Sequence, residues 1–450
     1  MKKFIINLLK YQRYSPEDEL IKKIFKNSSI LLLGNIISSI LGVISIILTA
    51  KSLGAEQFGI LILITTYVLI IDKLVNFQSW QAIIKYGAGA LEMNKSNDFK
   101  SLLKFGFTLD ISTAIIGTFI AVITVSFMGK WLHWEQDHIT YAIFYSFIII
   151  SHINGTPIAI LRLFGNFKAI ATQQVIASLI KLVGVSIAWI SNIGLYGFLI
   201  IWAITDVAGN LLLIHNSKKE LKNQKIRHIF FVKKSKIKDQ FQGIWGFLWT
   251  TQIHSSVKIG LNDLDIIIIG ILTGPSNAGI YKMVKTMGGL FARISDPLYQ
   301  TILPEFSRLI VRNDYGNILN LIKKPIKFIS LFSILSISIF YFFGEKIITL
   351  ILTDEYIDAY LPAIFYLIAI SIGMVTFSFH PFLLAHGKAF RSLLILIIST
   401  FFYVPALIYG VENLSLIGAS LSYIFFYVCW SLMQLFSVST IVKEFKNESK

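Results

Sequence analysis

The feature that most constrains this chain is a series of apolar runs, each about as long as a bilayer is thick. The runs at 30–50 and 326–343 carry almost no charge, and about 20 consecutive apolar residues in a helix cross ~30 Å of hydrocarbon. Hydrophobic residues make up 55% of the 450 residues, and charged residues 15%. A soluble chain of this length has no interior large enough for so much apolar side chain. We therefore predict an all-α polytopic membrane protein.

Twelve spans are predicted, in two groups of six. They lie at about 27–50, 57–79, 105–127, 138–160, 171–190, 194–214, 243–271, 278–303, 326–343, 360–384, 392–410 and 414–437. The groups define an N-lobe and a C-lobe joined by a basic linker and flanked by two terminal segments. The predicted regions are 1–26 (N-terminal segment), 27–214 (N-lobe), 215–242 (linker), 243–437 (C-lobe) and 438–450 (C-terminal tail).

The basic residues orient the chain. With the N-terminus taken as internal, 33 of the 41 Lys and Arg residues lie in inner segments or at the adjoining span ends. The outer loops hold three, Lys51, Lys130 and Lys346. Positive charge is retained on the cytoplasmic side of membrane proteins, so both termini are predicted to be cytoplasmic. The net charge of +16 is then explained by an inner face on anionic lipid, and no nucleic-acid partner is expected.

The two halves repeat one another. Three short motifs recur in order at an offset of 220 or 221 residues: Gly54-Ala-Glu-Gln-Phe-Gly59 with Gly274-Pro-Ser-Asn-Ala-Gly279, Ala142-Ile-Phe-Tyr145 with Ala363-Ile-Phe-Tyr366, and Asn192-Ile-Gly-Leu-Tyr-Gly197 with Asn413-Leu-Ser-Leu-Ile-Gly418. Because each half has an even number of spans, the halves run in the same sense and are related by an axis along the membrane normal. This symmetry predicts a cleft between the lobes, where transporters of this kind bind substrate.

Charged residues inside spans are the candidates for function, since a basic side chain at mid-bilayer costs at least ~2.5–3.5 kcal/mol. One face of span 8 carries a polar stripe of Lys282, Lys285, Thr286, Gly289, Arg293, Asp296 and Gln300. Span 7 carries a second stripe of Thr251, His254, Lys258, Asn262 and Asp265, with Asp263 pointing elsewhere. Span 1 has a milder one of Asn35, Ser38, Gly42, Ser45 and Thr49, which also fits close helix packing.

The span 8 stripe is net positive, because three basic residues share a face with a single acid, Asp296. A positive cavity of low dielectric attracts anions, and Arg is suited to bidentate phosphate contacts. We therefore expect an anionic substrate that carries phosphate or carboxylate. The alternative is that these charges form structural pairs, such as Lys258 with Asp265 or Arg293 with Asp296. His254, Asp263, Asp265 and Asp296 are either coupling-ion sites or partners of the lysines, and both interpretations stay open.

The chain lacks the motifs of several other function classes. It has no GxxxxGK[ST] loop for an ATPase, and no HExxH, CxxC or Ser-His-Asp spacing for catalysis. Its single cysteine, Cys429, excludes an internal disulfide. No metal site or bound cofactor is expected, and the outer loops are too short for a catalytic domain. A transporter driven by an ion gradient, by the membrane potential or by the substrate gradient is predicted instead of an enzyme.

Several motifs together resemble the polysaccharide biosynthesis family of Wzx-type O-antigen and capsule repeat-unit flippases, within the multidrug/oligosaccharidyl-lipid/polysaccharide exporter superfamily. They are Leu33-Gly-Asn35-Ile, Ala50-Lys-Ser-Leu-Gly54-Ala-Glu-Gln-Phe-Gly59, Asn262-Asp-Leu-Asp265-Ile-Ile-Ile-Ile-Gly270, Ala278-Gly-Ile-Tyr281 and Pro304-Glu-Phe-Ser307. The resemblance implies a V-shaped, MATE-like pair of six-helix bundles in a bacterial cytoplasmic (inner) membrane. It also implies alternating-access transfer of an undecaprenyl-diphosphate-linked oligosaccharide, destined for lipopolysaccharide or capsule, to the outer leaflet.

The same resemblance implies a set of site residues and partners. The substrate-binding cations would be Lys258, Lys282, Lys285, Arg293 and Lys181. The polar lining is predicted from the helical stripes themselves and consists of Asn35, Asn262, Thr286 and Gln300. Coupling to H⁺ or Na⁺ is an option in this family, and the partners would be membrane lipids and the polymerase and chain-length regulator of the same pathway.

Three other functions remain as alternatives. An organic-cation antiporter of the same superfamily would line its cavity with net acid. A membrane-embedded polymerase or ligase would carry a long outer loop with catalytic side chains. A non-catalytic component of a glycan-assembly complex would not need its intramembrane charges for transport.

Overall fold

The fold is described from a computed structural model. The description covers residues 16–77, 79–231, 237–293, 302, 305, 306, 308–310 and 314–448, and omits the side chains of 16–28, 254, 258, 260–262, 315 and 444–448. Within this part of the chain the regular structure is helical throughout, and no strand occurs. A bilayer imposes this choice, since a helix satisfies all of its backbone groups internally.

The N-lobe consists of six spans. Pro16–Val75 contains spans 1 and 2, which separate where the backbone leaves the helix at Gly54. Ser79–Glu92 follows, and span 3 is Ser96–Trp131. Span 4 is bent: Gln136–Ser146 and Gly155–Leu163 are joined through the 3₁₀ helix Phe147–Ser151. Spans 5 and 6 are Phe167–Ile190 and Leu195–Asn223.

The C-lobe repeats this order after the short helix Ile237–Gln240. Span 7 is broken at Asp263 into Ile244–Asn262 and Leu264–Thr273, and span 8 begins with Pro275–Ala292. Span 9 is Tyr315–Ile351, and span 10 combines Tyr360–Val375 with Phe379–Ala385. Ala389–Glu448 contains spans 11 and 12, which separate at Ser415.

This arrangement confirms the predicted twelve-span, all-α fold. In the described part of the chain, eight helical stretches are each long and apolar enough to cross a membrane. Two of them, Ser29–Glu92 and Ala389–Lys443, each hold two spans because of the breaks at Gly54 and Ser415. Spans 7 and 8 complete the twelve. They are not among the eight apolar stretches, because span 7 is interrupted at Asp263 and both spans are rich in polar residues.

The sequence repeat reappears in the backbone. Gly54 and Gly274, which are related by the offset of 220, have φ values of 73° and 90° and end spans 1 and 7. This left-handed region costs glycine little. Both of these turns lie at the same end of the molecule, which we call the short-turn end. The opposite end, where residues 224–243 connect spans 6 and 7, is called the linker end.

The short-turn end is sealed by a symmetric contact between the lobes. A Cβ added to Gly59 in span 2 would collide with the carbonyl group of Pro275 at the start of span 8. A Cβ added to the repeat-related Gly279 would lie 2.7 Å from the carbonyl oxygen of Ala55. Each glycine therefore admits the beginning of the other lobe's helix. The Glu355 carboxylate adds a link by accepting a 2.7 Å hydrogen bond from the Ala55 amide.

At a helix break inside the N-lobe, a buried polar group accepts a hydrogen bond from a free backbone amide. Asp110 of span 3 is 1% exposed, and its carboxylate accepts a 2.8 Å hydrogen bond from the Thr156 amide at the second half of span 4. An anionic acceptor at a helix start satisfies a free N–H group and matches the helix dipole. Asp110 thus has a structural role at the bend in span 4.

Candidate substrate cavity

A cavity of about 790 Å³ lies between the lobes, in the half of the molecule nearer the linker end. Its walls are span 1 and span 5 of the N-lobe and span 8 of the C-lobe. The polar residues of these walls are Asn35, Ser38, Ser39, Gln173, Gln174, Ser178, Lys282, Lys285, Thr286 and Arg293. The predicted cleft between the lobes is thus present, and its volume is within the range typical of ligand sites.

The polar stripe of span 8 faces this cavity. Lys282, Lys285, Thr286 and Arg293 line it together, as their helical spacing predicts. Gly289 lies between them and keeps the middle of the wall open. Three cations and no described carboxylate form the lining, so the cavity surface is basic. Asn35 of span 1 faces them from the N-lobe.

Lys285 also bonds outside the cavity. Its Nζ donates to both carboxylate oxygens of Asp265, at 2.8 Å and 2.6 Å. Asp265 is fully buried, and its Oδ1 accepts a further hydrogen bond from the Ile266 amide. Asp265 is therefore paired with Lys285 of span 8, while its suggested pairing with Lys258 stays a prediction, because the Lys258 side chain lies outside the described residues.

Asp263, at the break of span 7, joins the lobes. Its carboxylate accepts a 2.7 Å hydrogen bond from Lys73 Nζ of span 2. Gln252 of span 7 donates to the carbonyl oxygens of Lys73 and Leu74, each at 2.9 Å. These contacts tie the end of span 2 to span 7 across the lobe boundary.

Lys181, which was expected to line the cavity, packs on Trp202 and interacts electrostatically with the wall residue Lys282. Its Nζ lies 3.3 Å from the centroid of the Trp202 ring, between spans 5 and 6 of the N-lobe. A cation against an indole face is stabilised by the ring quadrupole. Lys181 is not among the residues that line the cavity, because its position on span 5 turns it towards span 6.

A second polar cluster lies inside the N-lobe. His152 Nδ1 is 2.9 Å from Asp72 Oδ2, and the Tyr145 hydroxyl donates to Asp206 at 3.2 Å. Asn76 donates to the His152 carbonyl oxygen at 3.1 Å. His152 thus has an acidic partner on span 2, which makes it a hydrogen-bonded interior residue and not a cavity residue.

Some predicted site residues lie outside the described part of the chain. Asp296 and Gln300, which belong to predicted span 8, are not described, and neither are the side chains of His254, Lys258 and Asn262. Their predicted roles stay predictions.

Span 5 supplies cavity residues that the sequence did not single out. Gln173 and Gln174 face span 8 across the cavity, with Ser178 one turn further along. Two adjacent glutamines in an apolar helix could have indicated this wall in the sequence. They were not singled out because they carry no charge, unlike the basic residues of span 8. In the described part of the chain, Gln174 Oε1 and Ser38 Oγ are buried without a hydrogen-bond partner.

The fold and the cavity together define a class of protein: two-lobed, twelve-span membrane proteins built like the transporters of the MOP superfamily. An inward-facing multidrug resistance MATE family transporter has a TM-score of 0.70 to this chain at 13% identity, over 92% of this chain and 96% of that one. The lipid II flippase MurJ in an inward closed conformation also has a TM-score of 0.70, at 16% identity, over 90% and 87%. At these identities the likeness establishes the fold.

Sequence comparison identifies the family. The model of the family described as "Polysaccharide biosynthesis protein" matches residues 24–310. The chain is also 26% identical to the inner membrane protein YghQ of Escherichia coli over 347 residues, which is 76% of this chain and 96% of that protein. The chain therefore belongs to the polysaccharide biosynthesis protein family, whose members share a transporter fold and not that of an enzyme.

Proposed function

We propose that this protein is a flippase for a lipid-linked oligosaccharide. The substrate would be an undecaprenyl-diphosphate-linked glycan repeat unit of an O-antigen, a capsule or a similar polymer, moved from the cytoplasmic to the outer leaflet. The observation that carries this proposal is the basic cavity, which places Lys282, Lys285 and Arg293 on one wall with no described carboxylate beside them. A diphosphate is the group that such a wall binds best, because clustered cations and bidentate Arg contacts suit phosphate oxygens.

The shape of the cavity suits a lipid-linked glycan. Ile36 of span 1 belongs to the cavity wall and is 50% exposed. Leu33, Ile37 and Ile40 of the same helix are exposed as well, so span 1 is a thin partition between the cavity and lipid. A substrate can keep its polyprenyl chain in the bilayer beside span 1 while its diphosphate enters the basic cavity.

The polar wall on the N-lobe side is suited to sugars. Asn35, Ser38, Gln173 and Gln174 present amide and hydroxyl groups opposite the cations, and such groups donate and accept hydrogen bonds with sugar hydroxyls. The family match to polysaccharide biosynthesis proteins supports a glycan substrate, and the fold shared with a lipid II flippase supports a diphosphate-linked lipid. The polymerase and chain-length regulator of the same pathway would be its partners.

Transport would proceed by alternating access. The Gly59–Pro275 and Gly279–Ala55 contacts close the short-turn end, while the cavity occupies the half nearer the linker end. With both termini in the cytoplasm, the cavity faces the side on which lipid-linked repeat units are assembled. Separation of the two glycine contacts would then open the cavity to the outer leaflet.

An organic-cation antiporter of the same fold is the second candidate. Its cavity would require net negative charge to attract cations. The described lining carries Lys282, Lys285 and Arg293 and no acid, so the electrostatics favour the anionic substrate.

The test is a deletion of the gene in its host followed by complementation. We expect the deletion to remove a surface glycan and to leave its lipid-linked repeat unit in the inner leaflet. The wild-type gene should restore the glycan, whereas Arg293→Ala should not, at equal protein level in the membrane. Lys130→Ala serves as the control, since Lys130 is a surface residue outside the cavity. A full set of surface glycans in the deletion strain would refute the proposal.

A further inference from the structure

One side chain, Lys285, belongs both to the cavity and to a buried ion pair. It lines the cavity wall, yet its ammonium group bonds both oxygens of Asp265 at 2.8 Å and 2.6 Å. The lysine side chain is 12% exposed and the aspartate is 0% exposed. Lys285 can therefore reach a ligand in the cavity, whereas Asp265 cannot.

Lys285 cannot leave Asp265 without a replacement charge. An ionised carboxylate in a dry interior is strongly destabilised once its partner is removed. The stable alternative is the neutral, protonated acid. The second hydrogen bond of Asp265, from the Ile266 amide, stays in place in either state.

Apart from Lys282, the surroundings of Asp265 offer no other described cation that could take over. Asp263, on the same span, is held by Lys73 at 2.7 Å. The titratable groups that interact electrostatically with Asp265 are Lys285, Lys282 and Tyr281 of span 8, Asp263 of span 7, Tyr366 of span 10, Tyr403 of span 11 and Tyr423 of span 12. Lys282 is itself a wall residue of the cavity. The four tyrosines are neutral groups, and within the described part of the chain the hydroxyl of Tyr403 is buried without a hydrogen-bond partner.

We propose that Lys285 is exchanged between Asp265 and the diphosphate of the substrate, and that Asp265 takes up one proton as the lysine leaves. This inference rests on the proposed function. The N–H···O bonds from Lys285 to Asp265 break and are replaced by N–H···O bonds to phosphate oxygens. An O–H bond forms on Asp265 with a proton from solvent, and the ammonium group keeps its own protons. No electrons are transferred.

The exchange links diphosphate binding to pH. Because a proton is taken up when the diphosphate binds, a rise in pH weakens binding, by at most about tenfold per pH unit for one linked proton. The linkage is reciprocal, so bound diphosphate also favours protonation of Asp265. Asp265 is thereby a coupling site of the C-lobe for a proton.

The experiment is isothermal titration calorimetry of the full-length protein in detergent with inorganic pyrophosphate. Titrations at one pH in buffers of different ionisation enthalpy give the number of protons taken up per ligand bound. The difference between wild type and Asp265→Asn isolates Asp265, because the protonation of pyrophosphate itself is common to both. We expect this difference to be about one proton. Asp265→Asn should also bind pyrophosphate more tightly, since Lys285 is no longer held by a carboxylate.

Three further variants complete the test. Asp263→Asn is the matched control, two residues away and paired with Lys73, and should retain the proton uptake of the wild type. Lys285→Gln should lose this uptake and bind more weakly. If Asp265→Asn does not fold, the double variant Asp265→Asn, Lys285→Gln replaces the ion pair with two amides and should likewise lose the uptake.

The outcomes separate this inference from the proposed function. Equal proton uptake by wild type and the Asp265 variants would overturn the exchange and leave the flippase proposal standing. Pyrophosphate binding that requires Na⁺ and releases no buffer-dependent heat would overturn the assignment to a proton. Failure of wild type to bind pyrophosphate at all would overturn the diphosphate site and, with it, the exchange.

Discussion

Arg293 and Lys282 lie about three turns apart on the basic wall of the cavity, and neither forms an ion pair with another described residue. A hydrogen bond to a charged partner contributes about 1.5–3 kcal/mol. We therefore expect Arg293→Gln and Lys282→Gln each to lower pyrophosphate affinity by about 10- to 100-fold, measured by calorimetry.

The matched control for this prediction is Lys130→Gln at the surface, which should bind like the wild type. Loss of affinity in all three variants would indicate a non-specific effect of net charge. Unchanged affinity in both cavity variants would contradict the basic cavity as the anion site.

For Lys181 we expect no loss of affinity, since its ammonium group lies against the Trp202 ring and Lys181 is not a lining residue of the cavity. Lys181→Gln should therefore leave pyrophosphate affinity unchanged within about twofold, because it removes no wall cation. The same calorimetric series measures it. A loss of affinity as large as that of Arg293→Gln would show that Lys181 belongs to the binding site.

At the residue scale, the sequence predicted correctly those features that depend on the periodicity of a single helix. The span 8 stripe was predicted from periodicity alone, and Lys282, Lys285, Thr286 and Arg293 do share one wall. The partners of these residues lie on other helices, as with Lys285 and Asp265. Contacts between helices depend on packing angles and helix order, which periodicity within a single helix does not contain.

The elements that matter most for the transport cycle are the starts of spans 2 and 8. The repeated motif was recognised in the sequence only as evidence of duplication. Its glycines are in fact the contact surface, where Gly59 meets Pro275 and Gly279 meets Ala55. Two copies of one motif related by a pseudo-twofold axis contact each other at that axis, as in an isologous interface.

We predict that Gly59→Val prevents closure of the short-turn end, because a side chain at this position collides with the Pro275 carbonyl group. The measurement uses Ser38→Cys in the cavity wall as a reporter, in a Cys429→Ser background. Labelling of whole cells by a membrane-impermeant maleimide should be low with the native glycine and several-fold higher with Gly59→Val.

Gly89→Val is the matched control, since a Cβ at Gly89 meets no atom within 4 Å. It should leave labelling low. If Gly59→Val labels no faster than this control, the glycine contact does not close the molecule.

At the scale of the whole molecule, the fold was predictable because the bilayer permits few solutions. Span length, the positive-inside pattern and an even-numbered repeat were sufficient for twelve helices in two parallel bundles. The bend of span 4 and the break of span 7 were not anticipated, since both involve carboxylates, the buried Asp110 and the half-buried Asp263, whose partners lie elsewhere in the sequence.

The orientation of the chain in the membrane is a further prediction at the scale of the whole molecule. Because 33 basic residues lie on the side of the termini and three in the opposite loops, both ends of the chain should be cytoplasmic. Fusions of a fluorescent protein to the C-terminus should fluoresce, whereas a periplasmic phosphatase fused there should be inactive. The reverse result would place the cavity on the outer side and reverse the direction of transport.

The most direct test of the central claim is transfer of the lipid itself. Purified protein would be reconstituted in vesicles that contain a fluorescent undecaprenyl-diphosphate-linked sugar, and dithionite would quench the label from outside. With wild-type protein the label of both leaflets should become accessible, whereas with Arg293→Gln only the outer leaflet should be quenched. Equal transfer by both proteins, or none by the wild type, would contradict a flippase that works through a basic cavity.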